Sequence, residues 1–181
     1  MERWGRAWYQ PCLPLGKDGR RVTGSQEHIR LSRQAATEGM VLLKNQGQAL
    51  PLETGTKLAL FGKATMDYVK GGGGSGDVTV AYTRNLYEGL KMKEGVQILE
   101  SLANFYRENV NAQYAEGVEP GFTREPEIPE ELLAQARAWT DTAVISICRF
   151  SGEGWERKGI PGGGGFYLPA AEQKMVETVG A

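Results

Sequence analysis

Histidine, cysteine and long apolar runs are all scarce in this chain, and each scarcity excludes something. With one histidine, His28, and no CxxC pair, the ligand arithmetic of a zinc or iron–sulfur site fails; His28 reads as an ordinary helix residue, and no metal or cofactor is expected. Cys12 and Cys148 are the only cysteines. They carry no framework spacing that would suggest an oxidising compartment, and Cys148, inside an apolar run, reads as a small buried hydrophobe. No stretch approaches the ~20 apolar residues of a membrane helix. The N-terminus, Met1-Glu-Arg-Trp-Gly-Arg-Ala-Trp8, lacks the apolar core of a secretory leader. These features predict a cytoplasmic protein without a membrane partner. A net charge of −1 supplies no basic field, so nucleic acid is not expected as a partner either.

Glycine is present in excess: 25 of 181 residues, about 14%, against the usual ~7%. The glycines concentrate at Gly71–Gly74 with Gly76, and at Gly152, Gly154, Gly159 and Gly162–Gly165. Function is expected in those two loops. The first invites a phosphate cradle, since backbone N–H groups in such loops can hold anions. A P-loop, however, needs Lys and Ser/Thr after its last glycine, and here Asp77 follows Gly76. The dinucleotide fingerprint would have to follow the strand directly, and eight residues separate Gly62 from Gly71. The plainer reading is a loop packed so closely on a sugar site or partner domain that side chains would clash.

The rest of the chain divides into an arm and an α/β domain. Residues 1–24 are irregular, anchored by Trp4, Trp8 and Tyr9. Ser25 suits the N-cap of a helix carrying Ile29, Ser32, Ala36, Met40 and Leu43 at helical spacing, with Met40–Asn45 leaving it as a short strand. Lys57–Gly62, Val96–Leu99 and Thr142–Cys148 read as strands, the first and last buried and the last of parallel type, and Val78–Tyr82 is β-prone. Helices are expected at Arg84–Lys91, from Ser101 to about Gly117, from Pro129 through Trp139, and from Ala170 through Val179. The prolines and glycine of residues 118–129 mark a linker or surface loop. Strands alternating with helices predict a mostly parallel sheet flanked by helices. Because the chain stops after its last helix, the domain is expected to be truncated at its C-terminal side.

Past the third strand comes Arg149-Phe-Ser-Gly-Glu153-Gly-Trp155-Glu-Arg157-Lys158. A carboxylate between two glycines, beyond the carboxyl end of a parallel strand, sits where open α/β sheets hold ligands. Trp155 offers a flat face for a sugar ring, Arg149 and Arg157 offer hydrogen bonds to hydroxyls, and Glu153 offers an acid for chemistry. A solvated loop whose charges pair with one another is the competing reading. Asp141 and Glu156 are weaker acid candidates, since neither lies between glycines.

Four blocks in order, SRQAATEGMVLLKNQGQALPL at 32–52, KLALFGKATMDYVKGGGGSGDV at 57–78, RFSGEGWERKG at 149–159 and FYLPAAEQKMVETV at 166–179, resemble the α/β sandwich domain of glycoside hydrolase family 3. The resemblance implies hydrolysis of terminal β-linked sugars with retention, with an oligosaccharide or β-glucoside as substrate. It also implies that Glu153 is the acid/base, and that burial beside Trp155 raises its pKa. The family's nucleophile is an Asp in a Ser-Asp-Trp-like motif of a barrel domain. No such motif occurs here, so the domain division is read as an arm at 1–24, a partial sandwich at 25–181, and an absent barrel. A sandwich reached almost directly after Met1 resembles a member with reversed domain order. The polypeptide alone is expected to be inactive. The alternative is a non-catalytic carbohydrate-binding or interaction module using Trp155 and Tyr167.

Overall fold

A computed structural model describes residues 17–19, 24–78, 80, 82–154 and 156–181. The chain divides into two compact units, residues 1–51 and 52–181.

In the first unit, helix α1 spans Gln26–Glu38. Ser25 caps it as expected, its hydroxyl accepting from the His28 N–H at 3.3 Å, and the helix stops at Gly39. The expected strand at Met40–Asn45 does not form: these residues are irregular and exposed. Asn45 instead closes a turn, its amide bonding both the carbonyl and the N–H of Leu50 at 2.8 and 3.0 Å. An Asx-type contact of this kind competes with strand pairing for the same backbone groups.

The second unit is built on three parallel strands in the order β2-β1-β3: β1 at Lys57–Phe61, β2 at Gln97–Ile98 and β3 at Ala143–Ile145. Four helices accompany them: α2 at Leu86–Lys91, α3 at Glu100–Ala115, α4 at Glu130–Trp139 and α5 at Ala170–Gly180. The central strand explains the layering. Side chains alternate across a strand, so Ala59 and Phe61 point to one face, where they meet Leu102, Tyr106, Leu133, Ala136 and Met175. Leu58 and Leu60 point to the other, packing with Ile98, Ala103, Tyr87 and Leu90. A strand covered on both faces must be apolar throughout, which is why Leu58–Phe61 was legible as an unbroken run.

The third strand is shorter than the expected 142–148 and only half-buried, because it pairs with β1 on one side alone among the described residues. Cys148 is correspondingly a partly exposed free thiol rather than a buried hydrophobe. Val78 and Tyr82 are exposed and in no strand, while Thr79 and Ala81 lie outside the described residues. Gly62 is required where β1 ends: at φ +94°, an added Cβ would lie 2.2 Å from the Ser146 carbonyl oxygen.

After Gly62 a short 3-10 turn at Lys63–Thr65 leads to Asp67, which is fully buried. Its carboxylate accepts from the Tyr114 hydroxyl and the Gly121 N–H, both at 2.6 Å, and from the Thr123 N–H at 3.3 Å and the Thr123 hydroxyl. Lys63 Nζ pairs with it at 3.1 Å and also donates to the Gly121 carbonyl at 2.9 Å. Burial pushes Asp67 up, but the donors and the Lys63 charge outweigh it and hold the group below the usual carboxylate range. Residues 118–129, expected as a linker or surface loop, are thereby pinned to the end of the central strand.

Candidate active site

The two glycine-rich loops meet. Gly73 and Gly152 form a parallel bridge: the Gly73 N–H donates to the Ser151 carbonyl at 3.3 Å, and the Glu153 N–H to the Gly73 carbonyl at 3.4 Å. The glycines are what allow this approach. A Cβ at Gly72 would stand 2.7 Å from the Ser151 carbonyl oxygen, and one at Gly74, where φ is +71°, 2.3 Å from the Glu153 Cβ. The expectation that side chains would clash in this loop therefore holds, with a specific partner: it packs on the turn that carries Glu153.

Glu153 itself is exposed and makes no ion pair among the described residues. Its Oε2 accepts the main-chain N–H of Ser75 at 2.8 Å. That bond, and then the Ser75 hydroxyl, hold the carboxyl below its ordinary value. The expected raised pKa is thus overturned. A carboxyl is raised by losing water, and this one keeps its solvent while gaining donors. Trp155, the residue expected to bury it, lies outside the described residues.

Arg149 is engaged locally. Its guanidinium grips the Glu172 carboxylate of α5 with two nitrogens, one contact at 3.0 Å, and also donates to the Gly165 and Cys148 carbonyls at 3.1 and 2.9 Å. This planar fork ties the strand-end segment to the second glycine run and to α5. Arg157 is half-buried and has no carboxylate within ion-pair distance among the described residues. Burial, together with the charge of Arg149, lowers its pKa. Arg157 lines a cleft of about 660 Å³ with Phe122, Phe150, Glu156 and Glu125. Asp141 is exposed and lines a different hollow, beside Leu133 and Thr178.

Glu125 and Asp67 are the polar residues that sequence reasoning missed. Glu125 Oε2 accepts the Lys63 N–H at 2.7 Å, whereas Oε1 is sealed from solvent without a hydrogen bond. Burial pushes this carboxyl up to about 7 against the pull of the Lys63 N–H. Little local marks either residue: apart from Lys63, four positions before Asp67, their hydrogen-bond partners lie tens of positions away. Among the described residues no three His, Cys, Asp or Glu side chains are grouped to hold a metal ion, and no helix is long and apolar enough to cross a membrane.

Residues 40–181 match the glycosyl hydrolase family 3 C-terminal domain. Beta-glucosidase A of Butyrivibrio fibrisolvens is 52% identical over a 200-residue alignment covering 99% of this chain and 24% of that protein. A beta-glucosidase of Ruminococcus albus is 31% identical over 84% of this chain and 16% of its own length. Among solved structures, a beta-glucosidase from Paenibacillus barengoltzii superposes with a TM-score of 0.77 at 30% identity, covering 85% of this chain and 17% of that one. Beta-glucosidase 3B of Thermotoga neapolitana, in complex with α-D-glucose, does so at 0.72 and 36%, covering 84% and 22%. The chain thus spans about a quarter or less of the relatives it matches.

Proposed function

Since the chain belongs to glycosyl hydrolase family 3, we propose that it supplies the acid/base loop of a retaining β-glucosidase-like enzyme, with Glu153 as the proton-transferring residue. The observation that carries this reading is the setting of Glu153: solvent-facing, on a turn between two glycines, held by hydrogen bonds it can give up rather than by an ion pair.

The chemistry needs two carboxyl groups ~5–5.5 Å apart. One attacks the anomeric carbon while the other protonates the departing glycosidic oxygen. The second then takes a proton from water as that water releases the sugar from the nucleophile. In this proposal Glu153 is that second group, and an Asp on a barrel domain of the same enzyme is the first. In this proposal Arg157 and Trp155 contact the sugar; Arg149, committed to Glu172 and to the Gly165 and Cys148 carbonyls, has one Nη2 N–H left to offer. Without the nucleophile no glycosyl-enzyme can form, so the 181-residue chain alone should show no turnover. A cytoplasmic setting belongs to the same proposal, supported by the free thiol of Cys148.

The test is Glu153→Gln in a full-length family 3 polypeptide carrying these residues. Aryl β-glucoside hydrolysis should fall ~10²- to 10⁴-fold, the range for a lost general acid/base. The loss should be smallest for a dinitrophenyl leaving group, which needs no proton. Added azide should restore turnover and yield the β-glucosyl azide. Undiminished hydrolysis in the variant would overturn the assignment, and would leave sugar recognition without catalysis as the surviving role.

A further inference from the structure

The Gly71–Gly76 loop touches the proposed acid/base in a way that catalytic carboxylates do not require. We infer that this loop is a cradle for Glu153, in which Ser75 is a positioning residue whose main-chain N–H parks the side chain as a carboxylate, the charge state of the general base. This rests on the reading of Glu153 given above and adds the means by which its position and protonation are set.

Three observations converge on the inference. The Gly73–Gly152 bridge joins the two loops backbone to backbone, so the Glu153 turn cannot drift from the cradle without breaking main-chain hydrogen bonds. Gly74 has no side chain at the one point where the Glu153 Cβ would collide with it, and its φ of +71° disfavours any replacement. The Ser75 N–H, the next donor along, then meets Oε2 at 2.8 Å. An N–H can only donate. It stabilises the ionised carboxylate, which is why the group sits below its ordinary pKa.

The consequence for the cycle is a division of labour between two positions. Glu153 docked on Ser75 is ready to accept the proton of an attacking water. Having taken it, the neutral acid gains less from an N–H donor and is freer to leave the cradle. It then delivers that proton to the next leaving oxygen, and the carboxylate so formed returns to Ser75. Atoms balance over the cycle: the proton removed from water is the one given to the departing alcohol.

The experiment follows the Glu153 carboxyl by ¹³C NMR as the 181-residue chain is titrated. In the native chain Glu153 should titrate below the ~4.3 of an unperturbed glutamate. Ser75→Pro, which deletes the N–H, and Gly74→Ala, which displaces the carboxyl, should both move the titration upward. Ser75→Ala keeps the N–H and should give a smaller upward shift. Gly76→Ala, whose Cβ meets nothing within 4 Å, should give none. Two routes to the same displacement guard against one variant misfolding, and the methyl signals of Leu58 and Leu102 report an intact core. Identical titrations in native, Ser75→Pro and Gly74→Ala chains would overturn the cradle. That outcome is separate from the Glu153→Gln assay, since a carboxylate can be parked on Ser75 whether or not it is catalytic.

Discussion

Asp67 and Glu153 are both carboxylates held ionised by donors from a glycine-containing loop, yet they are built for opposite ends. Asp67 is buried and bonded by Tyr114, Gly121, Thr123 and Lys63, so moving it would strand several donors and a buried ammonium at once. Glu153 is exposed and held by one residue, Ser75. The number of donors lost on departure, more than charge or pKa, separates a carboxylate that organises a fold from one that can do chemistry.

The largest effect should come from breaking the first side of that comparison. Asp67→Asn leaves Lys63 buried without its counter-charge, at a cost of about 3–5 kcal/mol, readable as a lowered urea midpoint. Glu153→Gln should leave the midpoint unchanged; comparable losses from the two variants would erase the distinction. Next is Gly62→Ala, at the strand end that positions Lys63 and Asp67. Left-handed backbone and collision with the Ser146 carbonyl together should cost about 3 kcal/mol, whereas Gly76→Ala, on the exposed carboxylate's side, should change thermal stability little.

A smaller effect sharpens the comparison through pH. Asp67 is held below its unfolded value, so its contribution is present above about pH 4 and is lost as pH falls through its folded pKa. Glu125 runs the other way. Raised to about 7, it contributes fully below about pH 4.3 and loses that contribution as pH rises through 7. Stability should therefore peak between the two, and Glu125→Gln should raise stability at pH 8 by about 2 kcal/mol while doing little at pH 5. Equal effects at both pH values would mean that Glu125 is ionised throughout.

Much of the fold was readable because its cause is local. Leu58–Phe61 is apolar without interruption because both faces are covered, and Ser25 marks a helix start by its own chemistry. The β3 run was overread, because an apolar segment looks the same whether it is paired on one side or two. Glu153 stood out through its flanking glycines, but its protonation did not, since that depends on Ser75, 78 residues away. Residues 118–129 form the irregular loop that proline and glycine signalled, but those residues say nothing about a buried aspartate elsewhere that collects the loop's N–H groups.

The Gly73–Gly152 bridge fixes a count as well as a contact. Because Gly74–Gly76 form a 3-10 turn, which rotates about a third of a turn and advances roughly 2 Å per residue, one residue inserted between Gly73 and Ser75 would carry the N–H past the carboxylate, however well the insertion suited the loop. The spacing of this short segment should therefore tolerate changes of composition more readily than changes of length.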